Sequence, residues 1–327
     1  MSRLRVGILG NGGIAARHAA SVAKLPEAME LVAVSGRDAD RVRAFSDQHG
    51  GRPFTDLDAM LDAGIDVMID TAPPFSRGGE AERAARAGVH LLVEKPIALD
   101  MKAGEAMVRE AAAAGVTAAI GFMYRHGDAV QRWQAAHTGP VGLMAGSYHC
   151  NALHAPWWRE RTKSGGQILE QLIHIVDLVR VFMGTPDSVY ARNANLFHRA
   201  VPGYDVEDVS AIVFGWDDER IATLNASNIA VPGKWDKRWS LFAERATAHF
   251  TDWNNAVFTR TAPDMEESIW AGDTDPFVAQ LADLADAIRD ERPPRVPLAE
   301  GVGTLKLALA AVRSADEKRE LRIADAV

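Results

Sequence analysis

The sequence predicts an α/β protein in two parts: a doubly wound parallel sheet, followed by an α/β domain on a large open, mostly antiparallel sheet. In the first part, short apolar strands alternate with helices, which is typical of a parallel sheet covered on both faces. A glycine-rich turn directly follows the first strand. In the second part, strands of alternating polarity follow one another without helices, as in antiparallel sheets. We place the two domains at residues 1–121 and 122–327, with the final helix able to pack back on the first domain.

The elements of the first domain are defined by apolar runs and by the residues that end them. Its strands are short and apolar, as buried parallel strands are. Pro26, Gly88 and Gly115 mark helix ends. The predicted strands are 4–9, 30–34, 65–71, 89–93 and 116–121, and the predicted helices are 14–25, 38–49, 57–63, 80–87 and 100–114.

The turn after the first strand fits the pattern G-x-G-x-x-G/A. Gly10 permits the tight turn, Gly12 lets the backbone approach a pyrophosphate, and Ala15 allows close packing of helix on strand. The helix that follows points its free N–H groups and the positive end of its dipole at the phosphates. The strand, turn and helix in this order predict a Rossmann domain that binds a dinucleotide. The expected cofactor contacts in this turn are Gly10, Asn11, Gly12, Gly13 and Ile14.

The residues after the second strand indicate which dinucleotide is bound. An acid there would accept hydrogen bonds from the ribose 2′-hydroxyl, but this chain has Ser35, Gly36 and Arg37 before the first acid, Asp38. A hydroxyl and a guanidinium suit a 2′-phosphate, so the sequence favours NADP over NAD. The alternative is that Arg37 stacks on the adenine while Asp38 turns back to the ribose.

Two further loops of the first domain complete the predicted cofactor site. Open α/β sheets bind ligands beyond the carboxyl ends of their strands. The loop Thr71-Ala72-Pro73 follows the strand 65–71, where the nicotinamide ribose would lie. Glu94 and Lys95 follow the strand 89–93 and are assigned to the cofactor site, with Lys95 also reaching the substrate. Pro96 stiffens the chain after them, and its peptide bond could be cis.

The second domain combines a helix at its start with successive strands. A strongly apolar helix at 168–183 follows Gly165-Gly166, and later helices lie at 277–291 and near the C-terminus. Trp235, Trp239 and Trp253 are expected to pack on a sheet face or in an oligomer interface. The predicted strands are 142–151, 187–195, 208–217, 220–228, 239–243 and 247–252.

The apolar helix 168–183 carries a short polar stripe. Glu170 and His174 are separated by four residues and share a face, with Asp177 one turn later. Burying such groups is costly unless they are paired or meet a ligand, so the stripe predicts a site. The loop His154-Ala155-Pro156-Trp157-Trp158-Arg159 precedes it, and Trp157, Trp158 and Arg159 are the candidate wall for a sugar. Plain packing is the alternative for each tryptophan.

Three motifs, in this order and spacing, resemble the glucose-fructose oxidoreductase / inositol dehydrogenase / MocA family. They are Gly10-x-Gly12-x-x-Ala15, Glu94-Lys95-Pro96 and Gly165-Gly166-x3-Glu170-x3-His174-x2-Asp177. The resemblance implies a Rossmann domain followed by an α/β domain with an open sheet, often used for oligomerisation. It also implies hydride transfer between a nicotinamide cofactor and a hydroxyl- or carbonyl-bearing carbon of a sugar, inositol or related polyol.

The resemblance places Lys95 at the catalytic lysine of the family and His174 at its proton-transfer histidine. The family usually has aspartate where this chain has Glu170, and often histidine where it has Arg77. An unperturbed imidazole titrates at about pH 6.5, which suits proton exchange with a hydroxyl near neutrality. The Lys95 ammonium would stabilise developing oxyanion charge, while Glu170 would orient His174 and raise its basicity. Lys95, His174 and Glu170 are therefore the predicted catalytic residues, and they are expected to meet at one cleft.

Composition narrows the possible partners. The net charge of −8 argues against a nucleic acid or an anionic membrane as partner, and no metal site is indicated. The single cysteine, Cys150, and the lack of a signal peptide or long apolar run favour a cytoplasmic protein. A homodimer or homotetramer is expected. Two other functions remain open: a non-catalytic dinucleotide-binding regulator, and an enzyme that cleaves glycosides with tightly bound NAD.

Overall fold

The structure is a computed structural model that describes residues 3–151 and 155–326. Contacts within the chain define two compact units. The first unit comprises residues 1–123 and 275–302, and the second comprises 124–274 and 303–327. The predicted second domain, by contrast, included residues 275–302. The division at residue 121 therefore stays a prediction about independent domains.

The described residues contain the following regular elements. The strands are β1 (Leu4–Leu9), β2 (Met29–Ser35), β3 (Arg52–Phe54), β4 (Val67–Asp70), β5 (His90–Val93), β6 (Ala118–Ile120), β7 (Val141–His149), β8 (Ser188–Ala194), β9 (Val209–Gly215), β10 (Ile221–Ser227), β11 (Asp236–Ala243), β12 (Ala246–Phe250), β13 (Ala256–Arg260), β14 (Glu266–Trp270) and β15 (Leu321–Arg322). The α-helices are α1 (Gly13–Val22), α2 (Ala39–His49), α3 (Leu57–Asp62), α4 (Glu80–Arg86), α5 (Met101–Ala114), α6 (Asp128–Ala135), α7 (Arg161–Ser164), α8 (Ile173–Met183), α9 (Pro276–Arg289) and α10 (Leu298–Glu317).

The first unit is built on a six-stranded parallel sheet in the order β3-β2-β1-β4-β5-β6. The strands β1 to β3 extend the sheet to one side. After β3 the chain crosses back and β4 pairs with β1, so β1 and β4 are neighbours at the centre of the sheet. Such a switch point leaves a crevice beyond the carboxyl ends of the strands. Beneath it, α1 and α9 pack together and contribute Ala15, Ala19 and Leu284 to a fully apolar core.

Local sequence explains why the helices of this unit begin and end where they do. Asp38, Asp56 and Asp100 accept hydrogen bonds from backbone N–H groups in the first turns of α2, α3 and α5. Gly115 ends α5 in the left-handed conformation, as its position in the sequence predicts. These caps confirm the predicted α2, α3 and α5 to within one or two residues.

The second unit is built on a nine-stranded sheet in the order β14-β13-β12-β11-β7-β10-β9-β8-β15. All its strand pairs are antiparallel except β7 with β10, so the prediction of a large, mostly antiparallel sheet is confirmed. α8 packs on β7 at Gly146, where an added Cβ would lie 2.6 Å from Ile175 and 2.9 Å from Leu224. The glycine therefore allows the helix to approach the sheet.

Sequence patterns missed the shortest and the most exposed strands. β3 has three residues, one of them Pro53, and β15 has two, too few for any periodicity. β13 and β14 are half-exposed and lack a clear apolar face. β11 begins at Asp236, three residues before the predicted strand, because its polar first residues continue the ladder with β7. None of the helices in the described residues is long and apolar enough to cross a bilayer.

Candidate active site

The turn after β1 has the geometry that a pyrophosphate requires. Gly10 has φ +112°, its N–H donates to the carbonyl of Ser35 at 2.7 Å, and an added Cβ would collide with the Thr71 hydroxyl. A Cβ on Gly12 or Gly13 would meet nothing within 4 Å, so the backbone there faces open space. α1 starts at Gly13 without a side-chain cap, which leaves its first N–H groups available for an anion. The observed backbone fits the dinucleotide that the sequence predicts.

The first acid after β2, Asp38, caps the helix that follows. One oxygen of Asp38 accepts from the N–H groups of Asp40 and Arg41 at 3.1 Å, which caps α2. Arg37 is exposed, and an added Cβ on Gly36 would lie 3.4 Å from the amide nitrogen of Asn11. Asn11 and Gly36 therefore lie side by side, as expected if both line one cofactor site.

The loop after β4 is held by a buried ion pair. The Thr71 hydroxyl donates to the carbonyl of Leu9 at 2.7 Å, which joins the ends of β4 and β1. Asp70 is fully buried, and its carboxylate lies 3.5 Å from Nε of Arg77. Burial raises the pKa of the Asp70 carboxyl, while the Arg77 charge and the Ala72 N–H oppose that rise.

Arg77 also reaches the chain that follows Lys95. Its Nη1 donates to the carbonyls of Pro96 and Ile97, at 3.1 Å for the latter. Arg77 stands where the family often has histidine, so the sequence leaves open whether this residue contacts the cofactor. In the structure this guanidinium bonds to the backbone on the carboxyl side of Lys95, and so it helps to fix that loop.

Glu94 and Lys95 lie at the carboxyl end of β5, as predicted. Lys95 is half-buried, its backbone N–H donates to Glu94 Oε2 at 3.2 Å, and its peptide bond to Pro96 is cis. The other Glu94 oxygen lies 2.7 Å from Nε2 of His18, a fully buried residue of α1. No sequence pattern indicates this pair, because the two residues are 76 positions apart.

In the second unit, a buried acid lies against the second of the two glycines that precede the apolar helix. Gly166 has φ +95°, and an added Cβ would lie 2.7 Å from a carboxylate oxygen of Glu207. Glu207 in turn accepts from the N–H of Ile168 at 3.0 Å and from Arg161 at 3.3 Å, which caps the helix that follows. Burial raises the pKa of the Glu207 carboxyl.

The predicted helix at 168–183 begins with a π-helical turn, Ile168–Leu172, before α8. Such turns are rare and occur frequently at functional sites. Glu170 lies in the π turn and His174 in the first turn of α8, and each is 6% exposed. Within this unit the structure thus places two of the three predicted catalytic residues on adjoining turns of one buried helix.

Asp177, the third member of the polar stripe, is neutralised. Its two oxygens accept from Nε and Nη2 of Arg125 at 2.8 and 2.6 Å, and the Thr304 hydroxyl donates to it at 2.9 Å. A bidentate, buried pair of this kind has its charge and hydrogen-bonding capacity satisfied internally. Asp177 therefore has a structural role, whereas the stripe in the sequence grouped it with the site.

A group of aromatic rings surrounds His174. Its imidazole stacks on Tyr124, with ring centroids 4.5 Å apart and planes inclined by 16°. Tyr124 also contacts Trp253, at 4.8 Å between centroids. Edge-to-face contacts connect the predicted sugar wall to Tyr148. They run from Trp157 to Trp158 at 5.6 Å, from Trp158 to Trp235 at 6.0 Å, and from Trp235 to Tyr148 at 6.2 Å.

Several residues of this region were not among the predicted site residues. Tyr124 and Tyr148 share a side-chain hydrogen bond, and burial raises the pKa of both phenols, so they stay protonated. Lys237, on β11, lies directly across from Tyr148 on β7. These residues come from separate strands and turns, so no spacing in the sequence connects them with His174.

The thiol of Cys150 lies against polar side chains from the π-helical turn and from the residue after β10. Cys150 was assigned no role, and its thiol contacts Gln171 Oε1 at 3.4 Å and Asn228 Oδ1 at 3.0 Å. Burial, with a smaller contribution from Glu170, raises the pKa of the thiol to about 12. A protonated, buried thiol is a poor nucleophile, so Cys150 acts here as a packing residue.

The loop that carries the predicted sugar wall is described in part. Trp157, Trp158 and Arg159 form a short 3₁₀ helix with Pro156, and His154 lies outside the described residues. In residues 3–151 and 155–326 there is no cluster of three His, Cys, Asp or Glu that could hold a metal ion. The roles of Lys95, Glu170, His174 and the sugar wall stay predictions, as does their meeting at one cleft.

The fold and these residues define a dinucleotide-binding oxidoreductase. The model of the oxidoreductase family with an NAD-binding Rossmann fold matches residues 4–122, and that of the GFO/IDH/MocA C-terminal domain matches residues 128–249. The chain belongs to the Gfo/Idh/MocA family of oxidoreductases, which confirms the resemblance found in its motifs. The cofactor class, a nicotinamide dinucleotide, is established with it.

Relatives match the chain over nearly its whole length. It is 26% identical to the UDP-N-acetylglucosamine 3-dehydrogenase of Acidithiobacillus ferrooxidans over 326 residues, with 96% of each chain covered. It is 22% identical to the myo-inositol 2-dehydrogenase of Thermotoga maritima over 335 residues, covering 99% of this chain and 100% of the relative. The fold is shared with a levoglucosan dehydrogenase solved with NADH and levoglucosan, at a TM-score of 0.90 and 16% identity, covering 98% of this chain and 100% of that one.

Proposed function

We propose that this protein is an NADP-preferring dehydrogenase or reductase that acts on a hydroxyl or carbonyl carbon of a sugar-like substrate. The observation that carries the proposal is the edge of the first sheet. The glycine turn after β1, Thr71 after β4 and Lys95 after β5 follow three neighbouring strands at their carboxyl ends. A cofactor laid along that edge brings its ring to the lysine side. The named relatives act on sugars and inositol, which supports the substrate class.

In the proposed chemistry, the cofactor exchanges the hydride and side chains of the protein handle the proton and bind the sugar. When bound, the nicotinamide dinucleotide accepts or supplies the hydride. The imidazole of His174 takes the hydroxyl proton in oxidation and returns it in reduction, while the Lys95 ammonium stabilises charge on the same oxygen. Glu170 orients the substrate hydroxyls or the imidazole. Trp157, Trp158 and Arg159 supply the wall against which a sugar ring packs.

The proposal is tested by following absorbance at 340 nm with NADP and NAD across a panel of aldoses, uronates, sugar phosphates and inositols, in both directions. We expect turnover of at least one member with net change of cofactor. No change in absorbance across the whole panel would instead favour a dinucleotide-binding regulator. Product release without net cofactor turnover would favour glycoside cleavage with bound NAD.

The preference for NADP rests on the segment after β2. Arg37 is exposed there and carries the only charge before the helix cap, while the capping oxygen of Asp38 is engaged by α2. A guanidinium forms bidentate, charge-assisted hydrogen bonds to a phosphate. Gly36, which precedes Arg37, adds no side chain at this position.

Replacing Arg37 by alanine should therefore weaken NADPH binding by roughly 10- to 100-fold, the effect of losing a charge-assisted hydrogen bond. Binding of NADH should change by less than about threefold, because it lacks the 2′-phosphate. Fluorescence titration of both dinucleotides measures this, with Arg43→Ala, on the exposed face of α2, as the control for net charge. Tighter binding of NADH than of NADPH to the unaltered protein would contradict the proposal.

We also propose that the protein forms a homodimer or homotetramer through the exposed face of the nine-stranded sheet. Leu143, Ile221 and Phe242 are exposed and lie side by side in register on β7, β10 and β11. Tyr190 and Val213 continue the apolar surface on β8 and β9. Exposed apolar patches of this kind favour association, which sedimentation of the purified protein measures. A cytoplasmic location remains a proposal based on the single cysteine.

A further inference from the structure

Lys237 is a second lysine beside the predicted substrate region, and none of the sequence motifs includes it. It lies on β11 opposite Tyr148, on the face of the sheet that packs against the helix of Glu170 and His174. Its ammonium lies 5.8 Å from the centre of the Tyr148 ring and 5.2 Å from the centre of the Trp253 ring. Trp253 contacts Tyr124, on which His174 stacks. Lys237 and His174 thus pack on different members of one contiguous group of aromatic rings.

The acids nearest to Lys237 are engaged elsewhere. Asp236 pairs with Arg238 at 2.7 Å. Asp252 accepts hydrogen bonds from the backbone N–H groups of Asn254 and Asn255, at 2.7 and 2.9 Å, and from the Asn255 side chain. Among the described residues, no carboxylate lies within 4.0 Å of the Lys237 ammonium. Within residues 3–151 and 155–326, this cation therefore lies against ring faces without a carboxylate as counter-ion.

Lys237 is half-buried, so its ammonium has lost part of its hydration without gaining a carboxylate in return. Burial lowers the pKa of Lys237, and the interactions with Cys150, Asp252 and Asp236 offset this only in part. Glu170 lies on the helix packed against the same sheet. Its charge raises the pKa of Tyr148 and of Cys150 but does not contribute to the pKa of Lys237. An anion at the ammonium would supply the missing partner, and the protonated Tyr148 phenol beside it is a second donor.

We propose that Lys237 binds an anionic substituent of the substrate, a carboxylate or a phosphate, so that the enzyme acts on an acidic sugar. This inference rests on the proposed function and narrows its substrate class. The ammonium forms a salt bridge with the substituent, while His174 and Lys95 act on the reacting carbinol. A neutral sugar would leave Lys237 without its partner, so the site discriminates against it.

The experiment compares matched substrate pairs that differ in one anionic group: glucuronate with glucose, galacturonate with galactose, and glucose 6-phosphate with glucose. For the unaltered enzyme we expect kcat/KM at least about tenfold higher on the anionic member of one pair, in line with a charge-assisted contact. The uronate pairs report a carboxylate site and the phosphate pair a phosphate site. Equal or higher kcat/KM on the neutral members of every pair would overturn the inference.

Lys237→Met should then reduce the ratio of anionic to neutral kcat/KM by roughly 10- to 100-fold, mainly through KM, and Lys237→Arg should recover part of it. Lys234→Met, an exposed lysine three residues earlier, is the control and should leave the ratio unchanged. Equal losses on both members of each pair would show a structural role and overturn the inference.

The outcomes separate the two proposals. If no sugar is turned over with either cofactor, the proposed function fails. If only neutral sugars are turned over, the proposed function stands and the role of Lys237 is refuted. Because the substrate pairs are first compared with the unaltered enzyme, a Lys237 variant that fails to fold does not prevent the test.

Discussion

Replacing Lys95 by methionine is expected to lower kcat by roughly 10²- to 10⁴-fold, because in the proposed mechanism the ammonium stabilises charge that develops on the substrate oxygen during hydride transfer. Methionine keeps the length and apolar stem of the side chain but removes its charge and its three donors. The backbone contacts of the loop, from Lys95 N–H to Glu94 and from Arg77 to Ile97, do not depend on the Lys95 side chain. The loop should therefore keep its conformation.

Single-turnover and steady-state rates measure this effect, and fluorescence titration checks that the variant still binds the dinucleotide. Lys102→Met, at an exposed position of α5 in the same unit, controls for the loss of one positive charge. A Lys95 variant with kcat within a few-fold of the unaltered enzyme would remove this residue from the chemistry.

Replacing His174 by asparagine is expected to cause a loss of similar size and, in addition, to change the pH dependence. In the oxidative direction, only a neutral imidazole can accept the hydroxyl proton, so kcat/KM of the unaltered enzyme should fall toward acidic pH. The asparagine variant has no titrating group at this position. Its residual activity should therefore lack that acidic limb.

A loss of packing alone would not produce this second effect. Because His174 stacks on Tyr124, the variant loses an aromatic contact as well as a base. The pH profile separates the two causes, since lost packing lowers the rate without removing a titration. His249→Asn, an exposed histidine of β12, is the matched control. An unchanged acidic limb in the His174 variant would assign the titration to another group.

The first unit could be predicted closely because its signals are local. The strand β1 was predicted with its observed bounds, and the glycine turn, the caps at Asp38 and Asp100, and the glycine at residue 115 each act within a few residues of the element they define. Lys95 was placed at a strand end for the same reason. The His18–Glu94 pair was missed, because it joins two elements through the interior of the fold.

In the second unit, the sequence predicted only part of the candidate active site. Glu170 and His174 lie on one helix, so their spacing revealed them, but the same polar stripe included Asp177, which the structure pairs with Arg125 and Thr304. The side chain that neutralises Asp177, Arg125, is 52 positions away. Tyr148 and Lys237 become neighbours only when β7 pairs with β11, and a register shift of one residue would turn each side chain to the other face.

The His18–Glu94 pair connects α1 with the loop that carries Lys95. His18 belongs to the helix whose first N–H groups face the proposed pyrophosphate position, and Glu94 holds the backbone of Lys95. One carboxylate thus connects that helix to the lysine loop, so we expect a shift of the helix to move the loop. Since thermodynamic linkage is reciprocal, occupancy at the helix and the placement of the lysine would then bias each other equally.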